Sequence, residues 1–164
     1  MRVRTMLPTL VLAVLAGCMT TSPEAPAPGF YVVRHLNTPA GERDPDLLPE
    51  GQRVAALLPA RLAAHPPRTI FVSDYRRSRQ TAAPTATRYG LTVTVYDPAD
   101  TPGLVARVRA APGPVLIVGH SNTVPDIVEQ LGGTRPAALT HPDFGDLWII
   151  APGGASQRVR IETP

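Results

Sequence analysis

Short apolar runs alternate along the chain with segments whose apolar residues recur at helical spacing. Four runs rich in branched and aromatic side chains predict buried strands, at residues 30–33, 69–72, 91–96 and 114–118. Helical periodicity predicts helices over residues 50–64, 74–89, around 104–108 and 123–131. Two further apolar segments, 147–150 and 157–161, predict a terminal hairpin. This alternation predicts an α/β fold with a mostly parallel central sheet in a three-layer α/β/α arrangement.

The residues at the helix ends support these assignments. Pro49 begins the first predicted helix with the backbone angle that a helix requires. Ser73 is the predicted N-cap of the second helix, and Gly90 ends it. Thr123 is the predicted cap of the fourth helix. Pro84 lies inside the second helix and predicts a kink there.

Composition excludes several classes of protein. The chain has 164 residues, of which 43% are hydrophobic and 18% charged, a balance typical of one globular domain. All sixteen basic residues are Arg, so the sequence excludes a P-loop and a Lys nucleophile, both of which need Lys. A single Cys excludes a disulfide framework and a zinc site made of several thiolates.

The N-terminal segment is typical of an export signal. Residues 1–17 carry two Arg and then a short apolar run, which is shorter than the roughly 20 residues a bilayer span needs. The run ends in a segment, Leu15–Cys18, that resembles the bacterial lipobox. This resemblance implies cleavage before Cys18 and lipidation of that residue. An ordinary signal peptide, or a buried Cys in the mature fold, is the alternative.

The predicted organisation has three parts. Residues 1–17 form the signal peptide, 18–28 the lipidated Cys and a Pro-rich tether, and 29–164 the folded domain. Met19 favours an anchor in the outer membrane that faces the periplasm. Loss of the two Arg of the signal lowers the formal net charge from +3 to +1, so charge gives no reason to expect a nucleic-acid partner.

Chemically active residues follow each of the four predicted parallel strands. In a sheet of this kind the C-terminal strand ends meet at one edge, where ligands bind. The residues that stand there are Arg34 and His35, Ser73 and Arg77, Asp97 and Asp100, and Gly119, His120, Ser121 and Asn122. Two Arg and two His therefore converge on one edge from distant parts of the chain.

Two guanidinium groups and two imidazoles predict a site for a phosphate group. Arg matches phosphate oxygens in bidentate geometry, and a neutral His can attack phosphorus. Since the guanidinium groups supply positive charge, the set predicts phosphoryl transfer without a metal or other cofactor. No two of the four His have the spacing that metal ligands usually have on a single helix or strand.

Four segments together resemble the histidine phosphatase superfamily, the phosphoglycerate mutase-like proteins. Val33–Thr38 resembles the signature Arg-His-Gly-Glu-Thr, with Leu36 in place of the usual Gly or Ala. Ser73–Ala82 resembles Ser-x-x-x-Arg-Ala-x-Gln-Thr-Ala, and Gly119–Thr123 resembles the motif of the second His. Leu47–Gln52 resembles the Leu-Thr-x-x-Gly-x-x-Gln-Ala region less closely. The four occur in the family's order, and they imply its phosphoglycerate mutase-like fold.

The resemblance also implies a role for each matching residue. His35 is then the phosphorylated nucleophile, while Arg34, Arg77 and His120 hold the phosphoryl group. Asn37 stands where the family often has a residue near the phosphate, which makes it a further candidate. Asn122 is a candidate for either phosphate binding or capping of the fourth helix.

A general acid would protonate the leaving oxygen and later activate water. Many members of the family have a carboxylate after the third strand, where this chain has Asp97 and Asp100. Asp97 is the better candidate, although an Asp before Pro98 is equally typical of a turn. A site with no dedicated acid, acting on good leaving groups, is the third possibility.

The sequence therefore predicts a metal-independent phosphomonoester hydrolase that acts on a small phosphorylated substrate through phosphohistidine. The alternatives are a phosphoanion-binding lipoprotein of the same fold that lacks turnover, and a phosphomutase. A serine hydrolase with Ser121 as nucleophile is disfavoured, because Thr123 replaces the second Gly of the Gly-x-Ser-x-Gly turn.

Overall fold

The computed structural model describes residues 29–161, which alternate between strands and helices. The strands are β1 (Phe30–Arg34), β2 (Thr69–Ser73), β3 (Val93–Tyr96), β4 (Val115–Gly119), β5 (Asp146–Ile150) and β6 (Ser156–Arg160). The helices are α1 (Pro49–Arg61), α2 (Arg76–Tyr89), α3 (Thr101–Ala110) and α4 (Val124–Gln130). Each predicted element is present, with bounds that differ by a few residues. The predicted signal peptide, Cys18 and the tether lie outside the described residues.

The six strands form one sheet in the order β3-β2-β4-β1-β5-β6. The first four in this order are parallel, while β5 pairs antiparallel with both β1 and β6. Every residue of β4 is buried, as expected for a central strand covered on both faces. The mostly parallel sheet and its terminal hairpin are therefore confirmed.

Helices cover both faces of the sheet. On one face, Leu58 of α1 and Ala82 of α2 pack in one hydrophobic cluster with Val33 of β1. On the other face, Leu104 of α3 and Ile127 of α4 pack with the neighbouring strand residues. Successive residues of a strand point to opposite faces, so the apolar runs supply both layers of core. The three-layer α/β/α prediction is confirmed. No helix within residues 29–161 is long and apolar enough to cross a membrane.

The helix ends agree with the predictions in part. Pro49 lies in the first turn of α1, and Gly90 ends α2 in the left-handed conformation with φ 64°. The prediction that Ser73 caps α2 is wrong, because the N-cap position belongs to Tyr75, whose side chain makes no cap bond. The Arg76 N–H instead donates to the carboxylate of Asp44 at 3.0 Å, across a long stretch of sequence. Such distant caps cannot be recognised from local spacing.

Thr123 occupies the N-cap position of α4, as predicted, but its side chain makes no cap hydrogen bond to the helix. Its hydroxyl accepts from the backbone N–H of His120 at 2.9 Å. This bond tightens the turn between β4 and α4. A Cβ on Gly119 would lie 3.0 Å from Val124 and 3.1 Å from the Thr123 hydroxyl, so the turn leaves little room for a larger residue.

Candidate active site

Adjacent strands place the two predicted catalytic histidines side by side. Arg34 at the end of β1 pairs in register with Gly119 at the end of β4. The next residue, His35, donates its backbone N–H to the Gly119 carbonyl at 2.9 Å. The ring centroids of His35 and His120 are therefore only 5.4 Å apart. The predicted convergence of distant segments at this edge is present in the structure.

A cavity of about 330 Å³ opens at this edge. It is lined by His35, Tyr75, Arg77, Pro98, Ala99, His120, Ser121 and Asn122. No carboxylate is among these lining residues, so the described part of the cavity wall is neutral or positive. Within residues 29–161, no three His, Cys, Asp or Glu side chains are grouped so as to hold a metal ion.

His35 is buried and held in one tautomer. Its Nδ1 lies 3.0 Å from the carbonyl oxygen of Leu36, and since a carbonyl only accepts, Nδ1 carries the hydrogen. The lone pair is therefore on Nε2. Burial, together with the positive charges of the neighbouring Arg side chains, lowers the pKa of His35 to about 3. The ring is neutral at physiological pH and has a free nitrogen that can act as a nucleophile.

His120 is also buried, but its hydrogen bond lies on the opposite ring nitrogen. Its Nε2 is 2.7 Å from the hydroxyl oxygen of Ser73, which in turn is 2.8 Å from that of Ser78. Burial and the charges of Arg77 and Arg34 lower the pKa of His120 to about 4. The cavity thus holds two neutral histidines in the absence of an anion.

Arg77 contributes a guanidinium group whose position is fixed from two sides. Its Cζ lies 4.2 Å from the centre of the Tyr75 ring, a cation–π distance. Its Nη1 lies 3.5 Å from the carboxylate of Asp44 and donates to the Arg43 carbonyl at 3.1 Å. Only 14% of the Arg77 side chain is exposed. The charge therefore lies in a partly desolvated place, where it attracts an anion more strongly than a surface Arg does.

Arg34 is buried and clamped by the loop before β5. Its Nη1 donates to the carbonyls of Thr140 at 2.5 Å and of Asp143 at 3.0 Å, and its Cζ lies 4.1 Å from the Phe144 ring centre. The Asp143 carboxylate closes this loop by accepting from the backbone N–H and hydroxyl of Thr140, at 2.6 and 2.7 Å. The Nε of Arg34 is buried and has no hydrogen-bond partner among residues 29–161. An oxyanion beside His35 would supply an acceptor for such a donor.

The weaker candidates have different positions. Asn122 lines the cavity, and because Thr123 takes the N-cap position of α4, the capping alternative for Asn122 is not observed. Asn37 instead borders a neighbouring cavity with Glu50 and Phe144, and its backbone carbonyl accepts from Leu48 at 2.8 Å. The structure therefore brings Asn122, but not Asn37, to the cavity that holds the two histidines.

The two candidate acids are bound to local backbone. The Asp97 carboxylate is exposed and accepts from the Ala99 N–H at 2.9 Å, which is the turn-forming alternative predicted for it. The Asp100 carboxylate accepts from the Gly103 N–H at 2.9 Å and caps α3. Neither lines the cavity, although Pro98 and Ala99 between them do.

Several residues of the site were not singled out from the sequence. Tyr75 lies under Arg77 and makes an edge contact with His120, with ring centroids 5.2 Å apart. Phe144 packs against the Arg34 guanidinium, and its ring centre lies 5.8 Å from that of His35. Ser78 lies inside a recognised motif, but at a position where the motif has Ala. Of these, Tyr75 carried a usable signal, because it is an aromatic residue two positions after the end of β2.

Other residues of the matched motifs hold the loops together. The Thr81 hydroxyl accepts from the Leu36 N–H at 3.0 Å and donates to the Arg77 carbonyl at 2.8 Å. It thereby ties the loop after β1 to α2, next to both His35 and Arg77. Gly51 allows α1 to approach closely, because a Cβ there would lie 2.7 Å from the carbonyl oxygen of Asn37. These positions serve the geometry of the site and not its chemistry.

The two buried histidines predict a loss of stability in acid. Their pKa values are about 3 and 4 in the fold and near 6.5 in the unfolded chain. As the pH falls below 6.5 the unfolded state takes up protons that the folded state does not, so the free energy of unfolding decreases. We expect a decrease of about 1–2 kcal/mol for each histidine between pH 7 and pH 5. Urea denaturation at the two pH values, in phosphate-free buffer, measures it.

A matched pair of variants isolates this effect from that of the carboxylates. His120→Asn should reduce the difference between the two pH values, whereas His141→Asn, which removes an exposed histidine, should not. Equal reductions in both variants would contradict the assignment of the acid sensitivity to the site.

Part of the chain is similar to one family of known proteins. Residues 30–98 match the family model described as histidine phosphatase superfamily (branch 1), a range that includes His35 and Arg77 and ends before His120. No curated protein sequence matches the chain significantly.

Solved structures share the fold at low sequence identity. A structure of the protein histidine phosphatase SixA with tungstate has a TM-score of 0.64 at 18% identity, covering 80% of this chain and 96% of its own. The alpha-ribazole phosphatase from Shigella flexneri has a TM-score of 0.61 at 14% identity, covering 82% and 96%. A mycobacterial glucosyl-3-phosphoglycerate phosphatase with inorganic phosphate has a TM-score of 0.58 at 18% identity, covering 82% and 95%. Residues 30–98 are thus similar to the histidine phosphatase superfamily, and the solved structures share the fold of this chain.

Proposed function

We propose that this protein is a metal-independent phosphomonoester hydrolase that works through a phosphohistidine on His35. The observation that carries the proposal is the free Nε2 of a neutral, buried His35 in a cavity shared with Arg77 and His120. A nucleophile beside fixed positive charge is what displacement at a phosphate group requires. The phosphatase neighbours with the same fold add support for this class of reaction.

The reaction has two displacements at phosphorus. In the first, the lone pair of His35 Nε2 forms a bond to phosphorus while the bond from phosphorus to the leaving oxygen breaks, and that oxygen takes the electron pair. In the second, a water oxygen bonds to phosphorus, the N–P bond breaks, and its electron pair returns to Nε2. The proton of the attacking water passes to bulk solvent, and inorganic phosphate leaves.

Positive groups stabilise the phosphoryl oxygens in both steps. Arg77 supplies a fixed charge from the cavity wall, and His120 supplies a hydrogen-bond donor opposite His35. Arg34 adds a second guanidinium, which the Thr140–Phe144 loop holds in place. Because these groups are positioned before substrate binds, little reorganisation is needed in the transition state.

The substrate should have a leaving group that departs without a proton from the protein. Among the described residues that line the cavity there is no carboxylate to serve as general acid. Both candidate acids, Asp97 and Asp100, accept hydrogen bonds from nearby backbone instead. The site is therefore better suited to aryl phosphates and other compounds with stable leaving groups than to alkyl phosphates.

Replacement of Asp97 tests this directly. We expect Asp97→Asn to leave kcat within about twofold of the native value for both para-nitrophenyl phosphate and phenyl phosphate, because the carboxylate is not needed for proton transfer. If Asp97 is instead the acid, kcat for phenyl phosphate should fall by about 10²-fold or more, since its leaving group is the poorer one. Asp100→Asn is the matched control for damage to the same loop.

The missing acid also favours a second candidate function, phosphoanion binding without turnover. The two guanidinium groups and His120 would hold an anion whether or not His35 reacts. The two candidates differ in one observable, the covalent phosphoenzyme.

The deciding experiment uses the full-length chain with para-nitrophenyl phosphate and excess EDTA. Chelator-resistant release of nitrophenol, together with an acid-labile, alkali-stable phosphoprotein after rapid quenching, would support the hydrolase. Binding of vanadate or phosphate without turnover and without a phosphoprotein would overturn the hydrolase and favour the binding protein.

We further propose that the protein is exported and anchored to the cell envelope, in the outer membrane facing the periplasm, by a lipid on Cys18. The proposal is supported by the lipobox resemblance of Leu15–Cys18 and the Pro-rich segment after it. In a bacterial host, the native chain should partition into the membrane fraction and into Triton X-114. Cys18→Ser should lose both properties while it retains the fold of residues 29–161. Membrane association that survives the substitution would contradict the anchor.

A further inference from the structure

Two buried serine hydroxyls form a chain that ends on His120. The Ser73 oxygen lies 2.7 Å from His120 Nε2 and 2.8 Å from the Ser78 oxygen. Both serine residues are fully buried, and Ser73 is the last residue of β2, directly beneath the cavity-lining segment that holds Tyr75 and Arg77. Neither hydroxyl has another hydrogen-bond partner in the described part of the chain.

Resting on the hydrolase function proposed above, we propose that Ser73, supported by Ser78, is a positioning residue that holds His120 as the neutral tautomer with its hydrogen on Nδ1. His120 then presents a donor to the phosphoryl group, and its only lone-pair nitrogen is bonded to Ser73. The serine pair thus determines which of the two facing histidines can be the nucleophile.

The argument is a count of hydrogens. The chain Ser78–Ser73–His120 contains two hydrogen bonds, and the two hydroxyl groups already supply the two hydrogens that these bonds need. If His120 Nε2 also carried a hydrogen, three hydrogens would share two bonds. One donor would then be buried without an acceptor, at a cost of about 1–3 kcal/mol. The favoured arrangement has Ser78 donating to Ser73, and Ser73 donating to a bare Nε2.

The charges around His120 favour the same neutral ring. Arg77 and Arg34 are the cations that face it from α2 and β1, His35 lies across the cavity from it, and the Tyr75 ring contacts its edge. A second proton on the ring would add a third positive charge to this group, so the charges keep His120 neutral. The serine chain then selects Nδ1 as the nitrogen that carries its one hydrogen.

The two histidines are therefore the same tautomer, but opposite ring nitrogens are bonded to the protein. His35 donates from Nδ1 to the Leu36 carbonyl and has a free lone pair on Nε2. His120 accepts at Nε2 from Ser73 and has a free Nδ1–H. Although the rings are 5.4 Å apart and similarly buried, only His35 can attack phosphorus. Their second partners, and not their positions in the cavity, separate the two roles.

The experiment is a determination of the tautomer by long-range ¹H–¹⁵N correlation spectra of the full-length chain at pH 7. His120 is assigned by the signals that disappear in His120→Asn. The native protein should show a protonated Nδ1 and a bare Nε2. A spectrum with hydrogen on Nε2, or with both nitrogens protonated, would overturn the proposal without any variant being needed.

Two serine variants separate the direct partner of His120 from the network as a whole. Ser73→Ala should lose the preference for the Nδ1–H form and lower kcat about 2- to 10-fold, the equivalent of one hydrogen bond. Ser78→Ala, which removes an equally buried hydroxyl, should retain the tautomer because Ser73 still donates to Nε2. A Ser73→Ala spectrum identical to that of the native protein would contradict the role of Ser73.

The outcome is independent of turnover. If the native protein shows the Nδ1–H tautomer but hydrolyses nothing, the hydrolase proposal fails and the assignment of His120 as an anion donor stands. If it hydrolyses phosphate esters with His120 in the other tautomer, the hydrolase proposal stands and this inference fails.

Discussion

Replacing His35 with Ala should lower kcat for para-nitrophenyl phosphate by at least about 10³-fold and abolish the trapped phosphoprotein. The substitution removes the free Nε2 lone pair of His35, which is the proposed nucleophile. Alanine has no group that can replace it, and water is a far weaker nucleophile at the same distance. The measurement is a steady-state assay in EDTA beside a rapid-quench assay for bound phosphate.

Anion binding by the variant shows whether the site is still intact. His35→Ala leaves Arg77, Arg34 and His120 in place, so vanadate or phosphate should bind with a Kd within about tenfold of the native value. His141 is an exposed residue within the loop that clamps Arg34, so His141→Ala is the control for loss of a nearby imidazole. Turnover above a tenth of the native rate in His35→Ala would exclude it as the nucleophile.

The positions of the main residues were predictable because they depend on regular structure. Each of Arg34, His35 and His120 lies at or directly after the end of a strand whose apolar run is unambiguous in the sequence. A parallel sheet brings such ends to one edge, so the convergence follows from the topology. Arg77 lies one residue into α2, close to the end of β2, and the same reasoning covers it.

The partners of these residues were not predictable, because they come from loops far away in sequence. Asp44 binds Arg76 and Arg77 from the long segment between β1 and α1, and Asp143 shapes the loop that clamps Arg34. Neither segment has a periodic pattern that fixes its path. Only the packed structure determines which carbonyl or carboxylate meets a guanidinium.

Asp97 is another residue whose role could not be predicted from the sequence alone. Asp97, which follows the third strand, was predicted to be either a general acid or a turn former, because an Asp at this position suits both roles. The structure gives it a local backbone partner, the Ala99 N–H, and places it outside the lining of the cavity. The next two residues, Pro98 and Ala99, do line the cavity, so the exact position along this loop decides which residues face it.

Replacing Arg77 with Ala should lower kcat/KM by about 10²- to 10³-fold, the usual cost of losing one preorganised group that stabilises an oxyanion. Arg77 lines the cavity, and its partner Asp44 is 37% exposed, so the loss of the pair itself should cost the fold little. Arg77→Lys retains the charge without the planar fork and should recover only part of the activity. Vanadate affinity should fall in parallel with kcat/KM.

A second measurement separates the charge of Arg77 from its contacts. Because its positive charge contributes to the low pKa values of His35 and His120, Arg77→Ala should raise both, and Arg77→Lys should raise them less. Arg79→Ala is the matched control, since Arg79 lies on the same helix but pairs with exposed Asp74 outside the cavity. If Arg79→Ala reduced kcat/KM as much as Arg77→Ala, the effect would be one of overall charge. If only Arg77→Ala reduced it and raised the two pKa values, the guanidinium would be acting at the phosphoryl group.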